Sequence, residues 1–286
     1  MLYPEHIRTV GIISPAGRLG RELFDSGLAV LRREGLRVKL PGRLQSVSGG
    51  SYLAGTPEER AADFMQLYLD EEVDLLLCVR GGFGSAQILP LLDWEALKQR
   101  KIPVAGYSDI TALHWAMDRF ETGIPAVSPM LGKLSGLDTV SSAAMFEMFS
   151  GRERSAPVRE ISGGAFSGRV LAGNLTVAAS LAGSCFFPDG SGRVIFLEDI
   201  NEPVYKIDRC LTQLEQAGLF RNAAGVVFGS FSGSDPQELK DLLHRFAGRC
   251  RLPAAAGFPF GHNFPLMSFS FAENAVFQDG NVHLKG

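Results

Sequence analysis

The first 130 residues of the chain alternate between short apolar segments and segments with helical periodicity. TVGIISP (9–15), LRVKLPG (36–42) and VDLLLCV (73–79) have the length of strands, and the third has the apolar content of a strand covered on both faces. Helical patterns lie between them, over 18–34 and from the capping signal Thr56-Pro57-Glu58-Glu59 onwards. This alternation predicts an α/β fold with an N-terminal doubly wound parallel-sheet domain.

A change of pattern divides the chain. Residues 1–150 form the predicted N-terminal domain, and 151–166, rich in Gly, Ser and Arg, are predicted to be the linker. In 167–286, strand-like segments alternate with helices over 204–217 and after Asp235. Asp279-Gly280 stands between alternating residues and predicts a hairpin. The second domain is therefore predicted to be smaller and mixed α+β.

Composition excludes several functional classes. Hydrophobic residues make up 45% of the chain, enough for a core, and the net charge of −3 argues against nucleic-acid binding. No apolar run approaches the length of a membrane span, and the N-terminus does not resemble a secretory signal. The four cysteines and five histidines are scattered without metal-binding spacing. We expect a cytoplasmic protein with reduced cysteines, without metal or cofactor, that binds neither nucleic acid nor membrane.

The segment 102–120 contains the candidate nucleophile. Residues 103–107 form a predicted strand, a helical pattern begins at Ile110, and Ser108 lies at the joint. A serine on such a turn projects its hydroxyl past the end of the sheet, towards free N–H groups of the helix. Because Ile110 replaces the second glycine of G-x-S-x-G, the alternative that Ser108 only caps the helix stays open.

A serine nucleophile needs a base and an orienting carboxylate, and the second domain offers both. Glu198 ends the apolar run VIFLED, and His262 follows AAAGFPFG. With Ser108 they would form a triad in the cleft between the domains. Asp199 and Glu202 compete as the acid, and His262 could be structural. His114 is a rival base, but it lies roughly 9 Å further along the helix from the serine.

The loop RGGFG (80–84) also follows a predicted strand, so it lies at the same sheet edge as Ser108. Its spacing is not that of a dinucleotide site. One alternative is an oxyanion hole, with one N–H from this turn and one from Asp109. Arg80 could bind a substrate carboxylate or form a structural salt bridge.

Six segments of the chain occur in order as motifs of one family: GIISPAG (11–17), RGGFG (80–84), AGYSDITALH (105–114), AGNL (172–175), LED with YKIDR (197–199, 205–209) and FGH (260–262). In these the chain resembles the LD-carboxypeptidases, the muramoyltetrapeptide carboxypeptidase family, which includes the microcin C immunity hydrolases. The motifs span nearly the whole chain.

The resemblance implies a metal-independent serine peptidase that removes the terminal D-alanine from murein tetrapeptides through an acyl-enzyme. It implies Ser108 as nucleophile, Glu198 as orienting acid and His262 as base. The site would be completed by two oxyanion donors and three substrate-binding residues: Gly82 and Asp109, and Arg80, Gly81 and Tyr107. Family members are typically cytoplasmic homodimers that act on muropeptides in cell-wall recycling.

Some residues depart from the family pattern. Val127-Ser128-Pro129 stands where the family tends to have His-Gly-Pro, Ser270 and Ala272 follow the histidine, and Phe83 replaces a common tyrosine. These leave the preference for diaminopimelate or lysine open. Two alternative functions remain: hydrolysis of a related amide, such as a peptidyl-nucleotide antibiotic, and non-catalytic ligand binding.

Overall fold

The structure is a computed structural model that describes residues 1–42 and 52–286. Its described strands are β1 Thr9–Ile13, β2 Arg37–Lys39, β3 Leu75–Cys78, β4 Pro103–Gly106, β5 Ile124–Val127, β6 Arg154–Pro157, β7 Arg159–Ser162, β8 Phe166–Asn174, β9 Arg193–Asp199, β10 Gly225–Phe231, β11 Ala254–Ala256, β12 Phe269–Ser270, β13 Asn274–Gln278 and β14 Asn281–Lys285. Its described α-helices are α1 Arg21–Arg33, α2 Pro57–Leu69, α3 Ser85–Ile88, α4 Trp94–Leu97, α5 Thr111–Arg119, α6 Thr139–Phe149, α7 Leu175–Ser180, α8 Val204–Gln216 and α9 Pro236–Cys250.

The N-terminal sheet has the order β12-β5-β4-β3-β1-β2, and all its neighbours pair in parallel except β12 with β5. This confirms the predicted doubly wound α/β domain. The chain adds strands on opposite sides of β1, first β2 and then β3, so the loops that follow β1 and β3 meet at a topological switch point. Those two loops are residues 15–17 and the glycine-rich loop 80–84.

The helix predicted after Thr56 has the expected capping box. The Thr56 hydroxyl accepts a hydrogen bond from the Glu59 amide at 3.2 Å, and the Glu59 carboxylate accepts one from the Thr56 amide at 2.8 Å. Pro57 opens the first turn, where its missing N–H is not needed. This local sequence therefore fixes where α2 begins, in agreement with the prediction.

The second sheet has the order β6-β14-β13-β8-β9-β10-β11-β7. Strands β8 to β11 are parallel, whereas both flanks pair antiparallel, which confirms the mixed α+β prediction. The predicted hairpin joins β13 to β14, with Asp279 at φ 50° and Gly280 at φ 72°. Residues with positive φ match the twist of a two-residue hairpin.

The two edge strands of this sheet, β6 and β7, are separated in sequence by Val158 alone. One residue spans at most about 3.6 Å, so the sheet must curl until its edges approach each other. Both strands belong to 151–166, the segment predicted as linker. They are short and mostly polar, which is why they lack a recognisable strand pattern.

Helix α5 joins the two sheets. The Trp115 indole donates a hydrogen bond of 2.8 Å to the Ala172 carbonyl on β8, and Arg193 on β9 pairs with Asp118. Gly173 allows this approach, because a Cβ there would lie 3.0 Å from the Trp115 indole nitrogen. Buried apolar side chains of both sheets belong to one continuous core cluster. The helix that follows Ser108 is therefore fixed to the second sheet.

Candidate active site

Ser108 lies on a sharp turn between β4 and α5. Its φ is +64°, a conformation that costs a non-glycine residue on the order of 1–3 kcal/mol. A one-turn 3₁₀ helix, Ser108–Ile110, leads into α5. Gly106 packs tightly against the turn, since a Cβ there would lie 3.0 Å from two side-chain carbons of Ile110. Ile110 thus fills the space against Gly106, which explains how this turn forms without the second glycine of G-x-S-x-G.

Ser108, His262 and Glu198 are connected by hydrogen bonds. His262 Nε2 lies 3.0 Å from Ser108 Oγ, and His262 Nδ1 lies 2.9 Å from Glu198 Oε2. The serine comes from the first sheet, the glutamate from the end of β9, and the histidine from the loop after β11. The structure brings the three predicted residues together in the order that a serine–base–acid relay requires.

The Ser108 hydroxyl does not cap its helix. Among the described residues, no side chain caps the N-terminus of the 3₁₀ turn or of α5, and the hydroxyl instead contacts His262. The alternative in which Ser108 serves only as a helix cap therefore has no support in the geometry.

Glu198 is fully buried, and burial raises the pKa of its carboxyl, opposed by its hydrogen bonds to His262 and Asn174. The Asn174 side-chain amide donates to Glu198 Oε1 at 3.2 Å and to Asp199 Oδ1 at 2.9 Å. Both carboxylate oxygens of Glu198 thus have a partner. A carboxylate held in this way can orient an imidazole and stabilise its charged form.

Asn174 is a site residue to which the sequence interpretation gave no role, although it lies in the quoted AGNL segment. It ends β8, and its Oδ1 accepts the Val177 amide at 3.1 Å, which caps α7. Its own backbone amide donates to Thr111 Oγ1 at 2.9 Å. Thr111 is the first residue of α5, directly after the turn that carries Ser108. The available signal was an asparagine between an apolar strand and a helical pattern, which is typical of a helix cap.

The rival residues have other partners. The Asp199 carboxylate accepts hydrogen bonds from the Thr176 amide and hydroxyl, at 3.0 and 2.7 Å, and Glu202 lies 3.1 Å from the Lys206 ammonium. His114 Nε2 lies 2.9 Å from the Val104 carbonyl, and burial lowers the pKa of His114 to about 4. His114 is therefore uncharged at neutral pH and hydrogen-bonded within the core.

The glycine-rich loop packs against the nucleophile turn. A Cβ added to Gly81 would lie 3.0 Å from Ser108 Cβ and 3.2 Å from the Asp109 amide nitrogen. The predicted oxyanion donors, Gly82 and Asp109, directly follow these two touching residues. The Asp109 carboxylate accepts the Ser85 amide at 2.8 Å, and the Ser85 hydroxyl donates to the Asp109 carbonyl. Asp109 therefore ties the end of the loop to the turn, and burial raises the pKa of its carboxyl.

Arg60 is a second residue that the sequence interpretation missed. Its guanidinium is buried under the loops and donates to the Gly84 carbonyl at 2.8 Å, to Gln87 Oε1 at 2.7 Å and to the Pro15 carbonyl. Burial lowers the pKa of Arg60. These bonds join the loops after β1 and β3. An arginine within an amphipathic helix gives no sequence signal of such a role.

The three residues predicted to bind substrate lie around this loop. Arg80 Nη2 donates to Tyr52 Oη at 3.2 Å and Nη1 donates to the Arg18 carbonyl at 3.4 Å. Within the described residues Arg80 has no carboxylate partner, so the structural salt bridge is not observed there. Gly81 contacts the serine, as described, and the Tyr107 ring meets His262 edge-on at 5.3 Å between ring centroids. Burial raises the pKa of Tyr107 to about 12.

Residues 1–42 and 52–286 contain no group of three or more His, Cys, Asp or Glu side chains that could hold a metal ion. No helix in the same part of the chain is long and apolar enough to cross a membrane.

Family profiles match both halves of the chain. The profile of the LD-carboxypeptidase N-terminal domain matches residues 10–128, and that of the LD-carboxypeptidase C-terminal domain matches residues 167–276. This chain belongs to the LD-carboxypeptidase family. The family resemblance deduced from the sequence motifs is confirmed, and with it the assignment to the peptidase hydrolases; a serine-type mechanism fits this family.

Relatives of this LD-carboxypeptidase cover almost its full length. The probable murein peptide carboxypeptidase of Bacillus subtilis is 34% identical over 94% of this chain and 88% of that protein. The murein tetrapeptide carboxypeptidase of Pseudomonas aeruginosa is 28% identical over 96% and 94%. The crystal structure of muramoyltetrapeptide carboxypeptidase from Oxalobacter formigenes superposes with a TM-score of 0.87 at 25% identity, over 96% of this chain and 97% of that one.

Proposed function

We propose that this enzyme removes the terminal D-alanine from murein tetrapeptides and that Ser108 is its nucleophile. The observation that carries the proposal is the continuous hydrogen-bond chain from Ser108 through His262 to the buried Glu198. It occurs in a chain whose relatives are named as murein peptide and murein tetrapeptide carboxypeptidases.

In the first half of the reaction, Ser108 Oγ attacks the carbonyl carbon of the amide between the L-centre of the diamino acid and D-alanine. His262 Nε2 takes the hydroxyl proton, and Glu198 stabilises the imidazolium. The Gly82 and Asp109 amides donate to the oxyanion, each contributing on the order of 3 kcal/mol. The C–N bond then breaks, and His262 gives the proton to the amine of the leaving D-alanine.

The second half releases the tripeptide. His262 takes a proton from water as the water oxygen attacks the acyl-enzyme ester, and the second tetrahedral intermediate uses the same oxyanion donors. The ester C–O bond breaks, and the proton returns through His262 to Ser108 Oγ. The enzyme regains its starting state with no metal or redox cofactor required by the atom balance.

The substrate end of the site follows from the same geometry. D-alanine is a single residue with a free carboxylate, and we assign Arg80 to that carboxylate, with Gly81 and Tyr107 lining the site near Ser108 and His262. The site draws on both sheets, which supports a cleft between the domains. The family resemblance supports a cytoplasmic homodimer in cell-wall recycling, and sedimentation analysis of the purified chain tests the dimer.

The nucleophile is tested with Ser108→Ala. The purified variant is incubated with a murein tetrapeptide, and released D-alanine is measured by coupled oxidation. We expect release to fall below detection while thermal unfolding shows an intact fold. Ser128→Ala is a matched control: Ser128 follows the neighbouring strand β5, and its buried hydroxyl has no hydrogen-bond partner among the described residues. If Ser108→Ala releases D-alanine at the wild-type rate, Ser108 is not the nucleophile.

An active-site serine probe separates the remaining alternatives. Covalent labelling of Ser108 in the wild type, with D-alanine release, supports the proposed enzyme. If Ser108 is labelled and a peptidyl-nucleotide is hydrolysed but no D-alanine is released, the substrate is the amide of a peptidyl-nucleotide, as in the immunity hydrolases. Tight reversible peptide binding without labelling would favour a non-catalytic module.

A further inference from the structure

Tyr52 lies over the glycine-rich loop because a short backbone pairing holds it there. The Arg18 amide donates to the Tyr52 carbonyl at 3.0 Å, the Ala54 amide donates to the Ala16 carbonyl at 3.2 Å, and Gly17 forms an antiparallel bridge with Leu53. The segment after β1 therefore fixes the backbone on both sides of the tyrosine. No catalytic or binding role follows for Tyr52 from the triad.

The Tyr52 side chain contacts three residues of the glycine-rich loop. Its ring stacks on Phe83 with 4.8 Å between centroids and 13° between planes. Its hydroxyl occupies the space that a Cβ at Gly82 would need. Arg80 Nη2 donates to the same hydroxyl at 3.2 Å, and the Arg80 guanidinium lies 5.2 Å from the Tyr52 ring centroid.

We propose that Tyr52 is a positioning residue that sets the specificity for a free C-terminal carboxylate. Its hydroxyl holds the Arg80 guanidinium where the terminal carboxylate of the substrate binds. This inference rests on the proposed function, because it assigns the recognition of the leaving D-alanine.

The hydrogen-bonding capacity of Arg80 supports this role. A guanidinium has five N–H donors. Two are used by the Arg18 carbonyl and the Tyr52 hydroxyl, and no carboxylate of the described residues takes the others. A guanidinium already held by two loops loses less conformational freedom when it binds a carboxylate.

The reach of the substrate also fits. In a terminal D-alanine the carboxylate carbon is only three bonds from the carbonyl carbon that the serine attacks. Arg80 is adjacent in sequence to Gly81, which touches Ser108. A guanidinium held near that loop therefore suits a leaving group that is only one residue long. An unrestrained arginine side chain would sample many positions.

Tyr52→Phe tests the hydroxyl while keeping the ring. Two substrates are compared: a murein tetrapeptide with a free D-alanine carboxylate and the same peptide ending in D-alaninamide. We expect kcat/KM for the acid to fall about tenfold, mainly through KM, because a hydrogen bond to a charged group is lost. The amide should change little, so the acid-to-amide ratio falls by the same factor.

Two further variants sharpen the test. Arg80→Met should lower the acid-to-amide ratio at least as far, and Tyr52→Phe should add little in that background, since both remove one interaction. Arg152→Met is the matched control, because Arg152 is an exposed arginine over the Phe146 ring at 5.3 Å, and it should leave both substrates unchanged.

An unchanged ratio in Tyr52→Phe, or an equal loss on both substrates, would overturn the inference, since a structural role alone affects both peptides. Failure of the proposed function appears differently, as no D-alanine release by the wild type. In that event the affinities of Ser108→Ala and Ser108→Ala/Tyr52→Phe for the two peptides, measured by calorimetry, decide. Equal acid-to-amide affinity ratios in the two proteins refute the role of Tyr52.

Discussion

Glu198→Gln changes one buried atom of the triad and leaves its shape. The glutamate accepts from His262 through Oε2 and from Asn174 through Oε1. A glutamine has one oxygen and one NH₂ group, so it can satisfy only one of the two donors. The Asn174 side-chain amide cannot flip to present its oxygen to the glutamine, because its Oδ1 accepts the Val177 amide and its NH₂ also donates to Asp199.

Each orientation of the glutamine has a cost. If its NH₂ faces His262, then Nδ1 must accept, the ring proton moves to Nε2, and the histidine can no longer take the Ser108 proton. If its NH₂ faces Asn174, two donors meet where 3.2 Å separates donor and acceptor now. Leaving buried donors unpaired costs about 1–3 kcal/mol, so the inactive orientation is preferred.

The charge is lost in both orientations. An ion pair at about 4 Å is worth roughly 4 kcal/mol at an effective dielectric constant near 20, which corresponds to about three orders of magnitude in rate. With the tautomer preference, we expect kcat to fall by about 10⁴-fold or somewhat more. Neutralising the acid of a serine protease triad has an effect of similar size.

The same variant should change how stability depends on pH. Burial raises the pKa of Glu198 above 4.5, the ordinary value of a glutamate. The contribution of this glutamate to stability is therefore full below pH 4.5 and is lost as the pH rises through the raised pKa. Glutamine does not titrate, so the stability of the variant relative to wild type should fall as the pH is lowered from 7.

The assay combines D-alanine release with urea unfolding at several pH values. Glu215→Gln is the control, because Glu215 is a half-buried glutamate of the same domain that pairs with Arg249 at 2.7 Å. It should retain wild-type kcat. If Glu198→Gln remains within tenfold of wild type while folded, the role of Glu198 derived from its hydrogen bonds is refuted.

Two further predictions concern the surroundings of the triad. Gly261→Ala should lower kcat at least about 100-fold, because a Cβ there would lie 2.3 Å from Ser230 Oγ and 2.9 Å from Glu198 Oε2, at a φ of +129°. Gly257→Ala is its control, with φ +93° and no atom within 4 Å of the added Cβ, so a comparable kcat loss in both would exclude the contact as the cause. His114→Gln should keep kcat at pH 7. As the pH falls from 6.5 to 4, the wild type should lose about 3 kcal/mol more stability than the variant, since burial lowers the pKa of His114 from 6.5 to about 4. If urea unfolding shows the same loss of stability in both proteins, the buried neutral His114 is not the source of the acid sensitivity.

The parts of the fold that the sequence predicts are those with local signals. Continuous apolar strands, a capping box at Thr56 and the Asp279-Gly280 turn each identify an element from adjacent residues. Glu198 and His262 were found because a charged or polar residue ends an apolar run. Strand β12 lacks such a signal, because two residues, Phe269 and Ser270, join the first sheet from the C-terminal part of the chain.

The relative position of nucleophile and acid depends on contacts that no local pattern encodes. Thr111 and Trp115 face β8 through bonds to Asn174 and Ala172, residues more than fifty positions away. In sequence, Trp115 is one more apolar position of a helix, and Gly173 suggests only a turn. In the structure that glycine lets α5 approach β8 closely. The helix that begins after Ser108 is thereby bonded to the strand whose Asn174 holds Glu198, so one interdomain contact sets the spacing of the triad.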